Sequence, residues 1–117
     1  MTALTPAVFL AVVFLVWSIP AGRAQSPKRI EIIAGRFAYT PGAIILKKGE
    51  TVVLVLRSSD VKHGLKVPEW KIKSEINKGK ETEIQITPAE TGHFVGKCAH
   101  FCGKGHGSMT LQIDVIP

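Results

Sequence analysis

Cysteine is scarce in this chain, with two in 117 residues. That excludes a disulfide-dense mini-scaffold, in which several bridges stand in for a core. Acidic side chains are also few, 9 against 15 Lys and Arg, which leaves a formal charge of +6. The excess is thinly spread, and its runs, Lys28-Arg29 and Lys47-Lys48, stop at two residues. A nucleic-acid stripe would be clustered, so no nucleic-acid partner is expected. The basic balance reads instead as a solvated surface able to steer an acidic partner. Past residue 25 there is no further long apolar run and no sustained 3.6-residue period. A polytopic membrane protein is thereby excluded. Hydrophobic residues at 45% and charged residues at 21% are ordinary for a globular protein, and the length allows one domain.

What is present begins with an export segment. Residues 7–21 (AVFLAVVFLVWSIPA) carry no charge. The run is shorter than the roughly 20 residues of a spanning helix and matches the apolar core of a signal peptide. Pro20 ends it, and Gly22-Arg23-Ala24 sets small residues before a cut at Gln25. Met1 to Pro6 holds no Lys or Arg, so an uncleaved membrane anchor is the alternative. Either reading sends residues 25–117 out of the cytoplasm, into a periplasmic or other extracytoplasmic space. Residues 1–24 are thus the export segment and 25–117 the domain.

That domain reads as short strands. Alternating or β-branched runs occupy residues 29–34, 37–39, 43–46, 51–56, 81–87, 93–97 and 110–116, with turn residues between them. Residues 51–56 (TVVLVL) are nearly all apolar, as in a strand covered on both faces. About seven strands in so short a chain predict an all-β fold, a small antiparallel Greek-key sandwich. Residues 58–80 show no clear strand and are expected to form a functional loop.

The chemistry is concentrated in residues 98–109, CAHFCGKGHGSM. Cys98, Cys102, His106 and Met109 follow one another at spacings of four, four and three. Gly103, Gly105 and Gly107 disfavour a helix there and let a loop wrap a small object. Thiolate, imidazole and thioether are soft to borderline donors, and thioether favours copper over zinc. His63, after the 51–56 strand, is the best source of a further imidazole. Other readings of the same residues stay open at this point. Cys98 and Cys102 could form a plain disulfide. His63, Cys98, Cys102 and His106 could hold zinc. His63, Cys102, His106 and Met109 could hold one blue copper, with Cys98 a spectator. His93 and His100 read as surface side chains.

Cys98-x3-Cys102-x3-His106-x2-Met109 with an upstream His63 resembles the binuclear copper (CuA) domain of cytochrome c oxidase subunit II, in the cupredoxin superfamily. It resembles the nitrous oxide reductase CuA domain more distantly. Asp60-Val61-Lys62-His63, Val67-Pro68, Gly92, Gly96-Lys97-Cys98, Cys102-Gly103 and the closing strand to Pro117 follow the subunit II pattern in order. The resemblance implies a cupredoxin-like fold and two copper ions bridged by the Cys98 and Cys102 thiolates. It implies that His63 and Met109 complete one ion, and His106 with the backbone carbonyl of His100 the other. Electron transfer with a redox partner protein, a cytochrome or an oxidase, is then the expected function. The constellation offers no nucleophile or acid–base pair for a bound substrate, so a relay is expected rather than a catalyst by itself. A copper chaperone or storage protein, and an anchored subunit of a terminal oxidase, are the alternative functions. The chain departs from the family where His100 replaces a glutamate that helps hold magnesium. Trp70 is its only tryptophan after the export segment, and its surface is basic. These departures point to a stand-alone or accessory copper protein.

Overall fold

The computed structural model describes residues 26–117, together with residue 3 and residues 11–14. The proposed signal peptide or anchor lies almost wholly outside the described residues. Among the described residues nine strands form two sheets. They are β1 (Lys28–Gly35), β2 (Ala38–Thr40), β3 (Ala43–Lys47), β4 (Val52–Ser58), β5 (His63–Val67), β6 (Ile72–Ile76), β7 (Thr82–Ile86), β8 (Gly92–Lys97) and β9 (Thr110–Ile116). The four-stranded sheet runs β2-β1-β4-β7 and the five-stranded sheet β3-β9-β8-β5-β6. Among the described residues no helix is long and apolar enough to cross a membrane.

Alternation in the sequence decides which side chains turn inward. Ile32 and Ala34 of β1, Ile44 and Leu46 of β3, and Leu111, Ile113 and Val115 of β9 are buried, while their neighbours Glu31, Ile45 and Asp114 face out. Each fully buried Leu or Ile contributes about 1.5–3 kcal/mol. The near-continuous apolar run of β4 is buried at Val52, Leu54, Val55 and Leu56. Val55 stands in register between Glu31 and Glu83.

Two expectations are corrected. The sandwich is not antiparallel throughout, because β1–β4 and β3–β9 pair parallel. A parallel pair needs a long crossover. The chain through β2 and then β3, which lies in the other sheet, supplies one for β1–β4, and the whole chain from β4 to β8 supplies the other. The stretch 58–80 is also not a loop, since it holds β5 and β6 around a single 3-10 turn at Pro68–Trp70. The β5 sequence His-Gly-Leu-Lys-Val hides its strand behind a buried histidine and a glycine.

Register then separates the two ends of the sandwich. His63, at the start of β5, pairs with Ile76 at the end of β6, and Val67 pairs with Ile72 at the other end. The β8–β9 connection, residues 98–109, leaves from the His63 end, where Lys97 pairs with Thr110. Trp70 and Phe94 pack in a tilted pair at the opposite end, 4.8 Å between ring centroids, beside a cleft of about 440 Å³.

Candidate metal centre

His63 is fully buried on β5, and its ring is aimed by Asp60, whose Oδ1 lies 2.6 Å from Nε2. With Nε2 donating to a carboxylate, Nδ1 carries the free lone pair. That Nδ1 is the one buried side-chain nitrogen or oxygen without a partner among the described residues. Ligand atoms of His63, Cys98 and Cys102 all lie within 4.8 Å of one another. An orphaned buried imidazole nitrogen costs stability unless something accepts its lone pair. Two thiols and a soft cation between them fit that demand.

The sulfurs sit at the hub. Cys98 Sγ and Cys102 Sγ are 3.9 Å apart and free, far beyond the roughly 2.05 Å of a disulfide bond. Met109 Sδ is 3.9 Å from Cys102 Sγ and fully buried. His106 Nδ1 approaches Cys102 Sγ at 3.8 Å. Cys98 Sγ donates to the His100 carbonyl at 3.0 Å, while the His100 side chain is exposed. His93 is exposed on β8 and bonded to Asp114. The structure thus gathers His63, Cys98, Cys102, His106, Met109 and the His100 carbonyl, and leaves the His93 and His100 rings outside. Burial pushes the Cys102 thiol up, and neighbouring Cys98 pushes it further. At neutral pH Cys102 therefore keeps its proton until a cation displaces it.

A third loop supports the first two, and its role is not apparent in the residue spacing. The β1–β2 turn brings Arg36 and Phe37 against residues 98–109. Arg36 Nε donates to the Cys102 carbonyl at 3.2 Å, and its backbone N–H donates to Asp60 Oδ2 at 2.8 Å. Asp60 thus ties His63 to the β1–β2 turn. Burial alone would raise its carboxyl, but the hydrogen bonds from His63 and from the Val61 and Arg36 amides outweigh burial and bring it to about 2. Tyr39 donates to the Gly64 carbonyl at 2.6 Å, and burial pushes its hydroxyl up so that it stays a donor. The glycines answer to these contacts. A Cβ on Gly103 would meet the Phe37 ring at 3.0 Å, and one on Gly105 would overlap that ring. A Cβ on Gly64 would come 2.8 Å from Ala99. The sequence signal for Asp60 was its place three residues before His63. Arg36 and Phe37 left no comparable signal.

Residues 26–116 match the family described as cytochrome c oxidase subunit II, periplasmic domain. The chain belongs to this family. Within the subunit II family, a probable cytochrome c oxidase subunit 2 from Streptomyces avermitilis is 39% identical over 77 residues, 65% of this chain and 24% of that protein. The chain therefore spans about a quarter of the length of such curated relatives. The crystal structure of the periplasmic domain of subunit II from Bradyrhizobium japonicum superposes with a TM-score of 0.70 at 19% identity, covering 76% of this chain and 83% of that one. Auracyanin A, a blue copper protein from Chloroflexus aurantiacus, superposes with a TM-score of 0.63 at 17% identity over 78% of this chain and 100% of that one. At such identities the two structures speak for the fold alone, and they make it cupredoxin-like.

Proposed function

We propose that this subunit II-family domain is an extracytoplasmic electron-transfer protein holding a binuclear copper centre. One observation carries the reading: His63, whose buried Nδ1 has no partner among the described residues, and two free thiols gather in one buried cluster. The Cys98 and Cys102 thiolates would bridge the two ions, with His63 and Met109 on one and His106 and the His100 carbonyl on the other. When bound, the copper pair supplies a one-electron couple whose charge is shared over both metals and both sulfurs. The protein's own part is to hold the ligands still. Asp60 fixes the His63 ring, Arg36 anchors the Cys102 carbonyl, and Phe37 fills the space under the glycines. Neither a nucleophile nor a general acid–base pair is called for, so the domain relays electrons rather than transforming a substrate. The relatives' names include cytochrome c oxidase, which supports a cytochrome or an oxidase as redox partner. The family's description as a periplasmic domain and the uncharged run 7–21 support export, with residues 25–117 as the working unit.

Copper stoichiometry and EPR test this directly. The expected result is two coppers per chain and a mixed-valence signal spread over two copper nuclei. Cys98→Ser should abolish that signal, whereas His100→Ala should keep both coppers because only its carbonyl is used. One copper with a blue colour would replace the binuclear reading with a mononuclear one. Rapid release of copper to an acceptor without a reversible redox couple would make the domain a chaperone or store.

A further inference from the structure

The two outer faces of the sandwich carry charge in opposite ways. On the four-stranded sheet Arg29 pairs with Glu81 and Glu83, and Arg57 with Glu31 and Glu81. That face satisfies its own charges. On the five-stranded sheet Lys66 of β5 stands directly opposite Lys73 of β6 on one side and Lys97 of β8 on the other. All three are exposed, and none reaches a carboxylate among the described residues. The neighbouring acid, Glu75, is taken by Lys62. Adjacent strands lie about 4.8 Å apart, and like charges directly opposite weaken a sheet. Three aligned ammonium groups with no internal counter-charge form a surface that gains from an external acidic one.

The row also leads to the metal loop. Lys97 is joined directly to Cys98. His100 borders the recess that contains Lys73, and it borders a second recess lined by Phe101, Lys62 and Arg36. Phe101 is 73% exposed, and its ring lies 5.6 Å from that of His106. An exposed aromatic beside a basic field is an apolar contact point with a charged rim.

We propose that this face docks an acidic electron-transfer protein, with Lys66, Lys73 and Lys97 steering its approach and Phe101 making the apolar contact beside the metal loop. The proposal rests on the electron-transfer reading and adds to it the partner's charge and the place where it sits. A solvated row alone would need only net charge, so position is what the experiment must isolate.

Metal-free, reduced protein is titrated with an acidic soluble c-type cytochrome and with a basic one, at low and at physiological salt. The copper-loaded protein is then mixed with the same cytochromes to read electron-transfer rates. The wild type should bind the acidic cytochrome and not the basic one. The Lys66→Gln/Lys73→Gln/Lys97→Gln variant should bind about tenfold more weakly at low salt and lose most of its salt dependence. Lys28→Gln/Lys47→Gln/Lys48→Gln removes the same charge at the opposite end and should change binding less than about twofold. Phe101→Ala should weaken binding and keep the salt dependence. Should the lysine triple fail to fold, the three single variants are read in its place. Equal losses in the two triples would overturn the proposal, as would preference for the basic cytochrome. Lysine-dependent binding to anionic lipid vesicles without binding to the acidic cytochrome would assign the face to a membrane and also overturn it. Lysine-dependent binding by a chain that takes up no copper would sink the electron-transfer reading while leaving the surface located.

Discussion

At the scale of single residues, the centre depends on side chains that are missing as much as on those present. Gly105 leaves room for Phe37 under the metal loop. Gly105→Ala should lower stability by about 1–3 kcal/mol through overpacking, and Phe37→Leu in the same chain should recover part of the loss, both read by chemical denaturation. Asp60 acts through His63. It accepts from Nε2 and so leaves Nδ1 for a metal. Asp60→Ala should weaken copper binding by about 10–100-fold, with the number of coppers at saturation unchanged, as measured by competition with a chelator. Loss of one copper at saturation would make Asp60 more than a positioning residue.

At the scale of elements, cross-strand pairs on the five-stranded sheet are the features to probe. Lys66 between Lys73 and Lys97 is an arrangement that stability alone does not favour. Lys66→Thr should raise stability by about 0.2–1 kcal/mol, a gain that shrinks with added salt. No gain at low salt would mean the ammonium groups splay far enough apart to ignore one another. His93 on β8 faces Asp114 on β9. The hydrogen bond that the His93 ring donates to Asp114 raises the His93 pKa, outweighing what desolvation takes away. A raised folded-state pKa means the folded protein binds the proton more tightly. The contribution is therefore complete below the ordinary histidine value of about 6.5 and is lost as pH rises through the folded value. NMR titration should find His93 above the ordinary value, and Asp114→Asn should return it there.

At the scale of the whole molecule, copper and the fold are one equilibrium. The sandwich closes its core with Met109, Cys98 and Cys102 among the buried residues, so a metal that binds only the folded loops must stabilise the whole domain. Cuprous ion at about 100 times its dissociation constant should add about 2.7 kcal/mol. The melting temperature should rise and fall back on adding a chelator. A Cys98→Ser/Cys102→Ser chain should show no such rise. An equal rise in that double variant would place the copper elsewhere.

The strand pattern and the donor spacing of residues 98–109 were legible in the chain itself, because alternation and spacing are local properties. Burial of Ile32, Leu111, Ile113 and Val115 follows from period-two patterning alone. The soft-donor spacing of Cys98, Cys102, His106 and Met109 sets the chemistry whatever the surrounding fold. Other features depended on contacts between distant segments. β5 was hidden because a buried histidine and a close-packed glycine do not look like strand residues until Asp60 and Ala99 are seen against them. The parallel pairings needed crossovers whose partners lie dozens of residues apart. Arg36 and Phe37 joined the site only when the β1–β2 turn closed over it, and Lys66, Lys73 and Lys97 became a row only in register. Spacing along a chain names donors, but only tertiary structure brings distant groups within reach of one another.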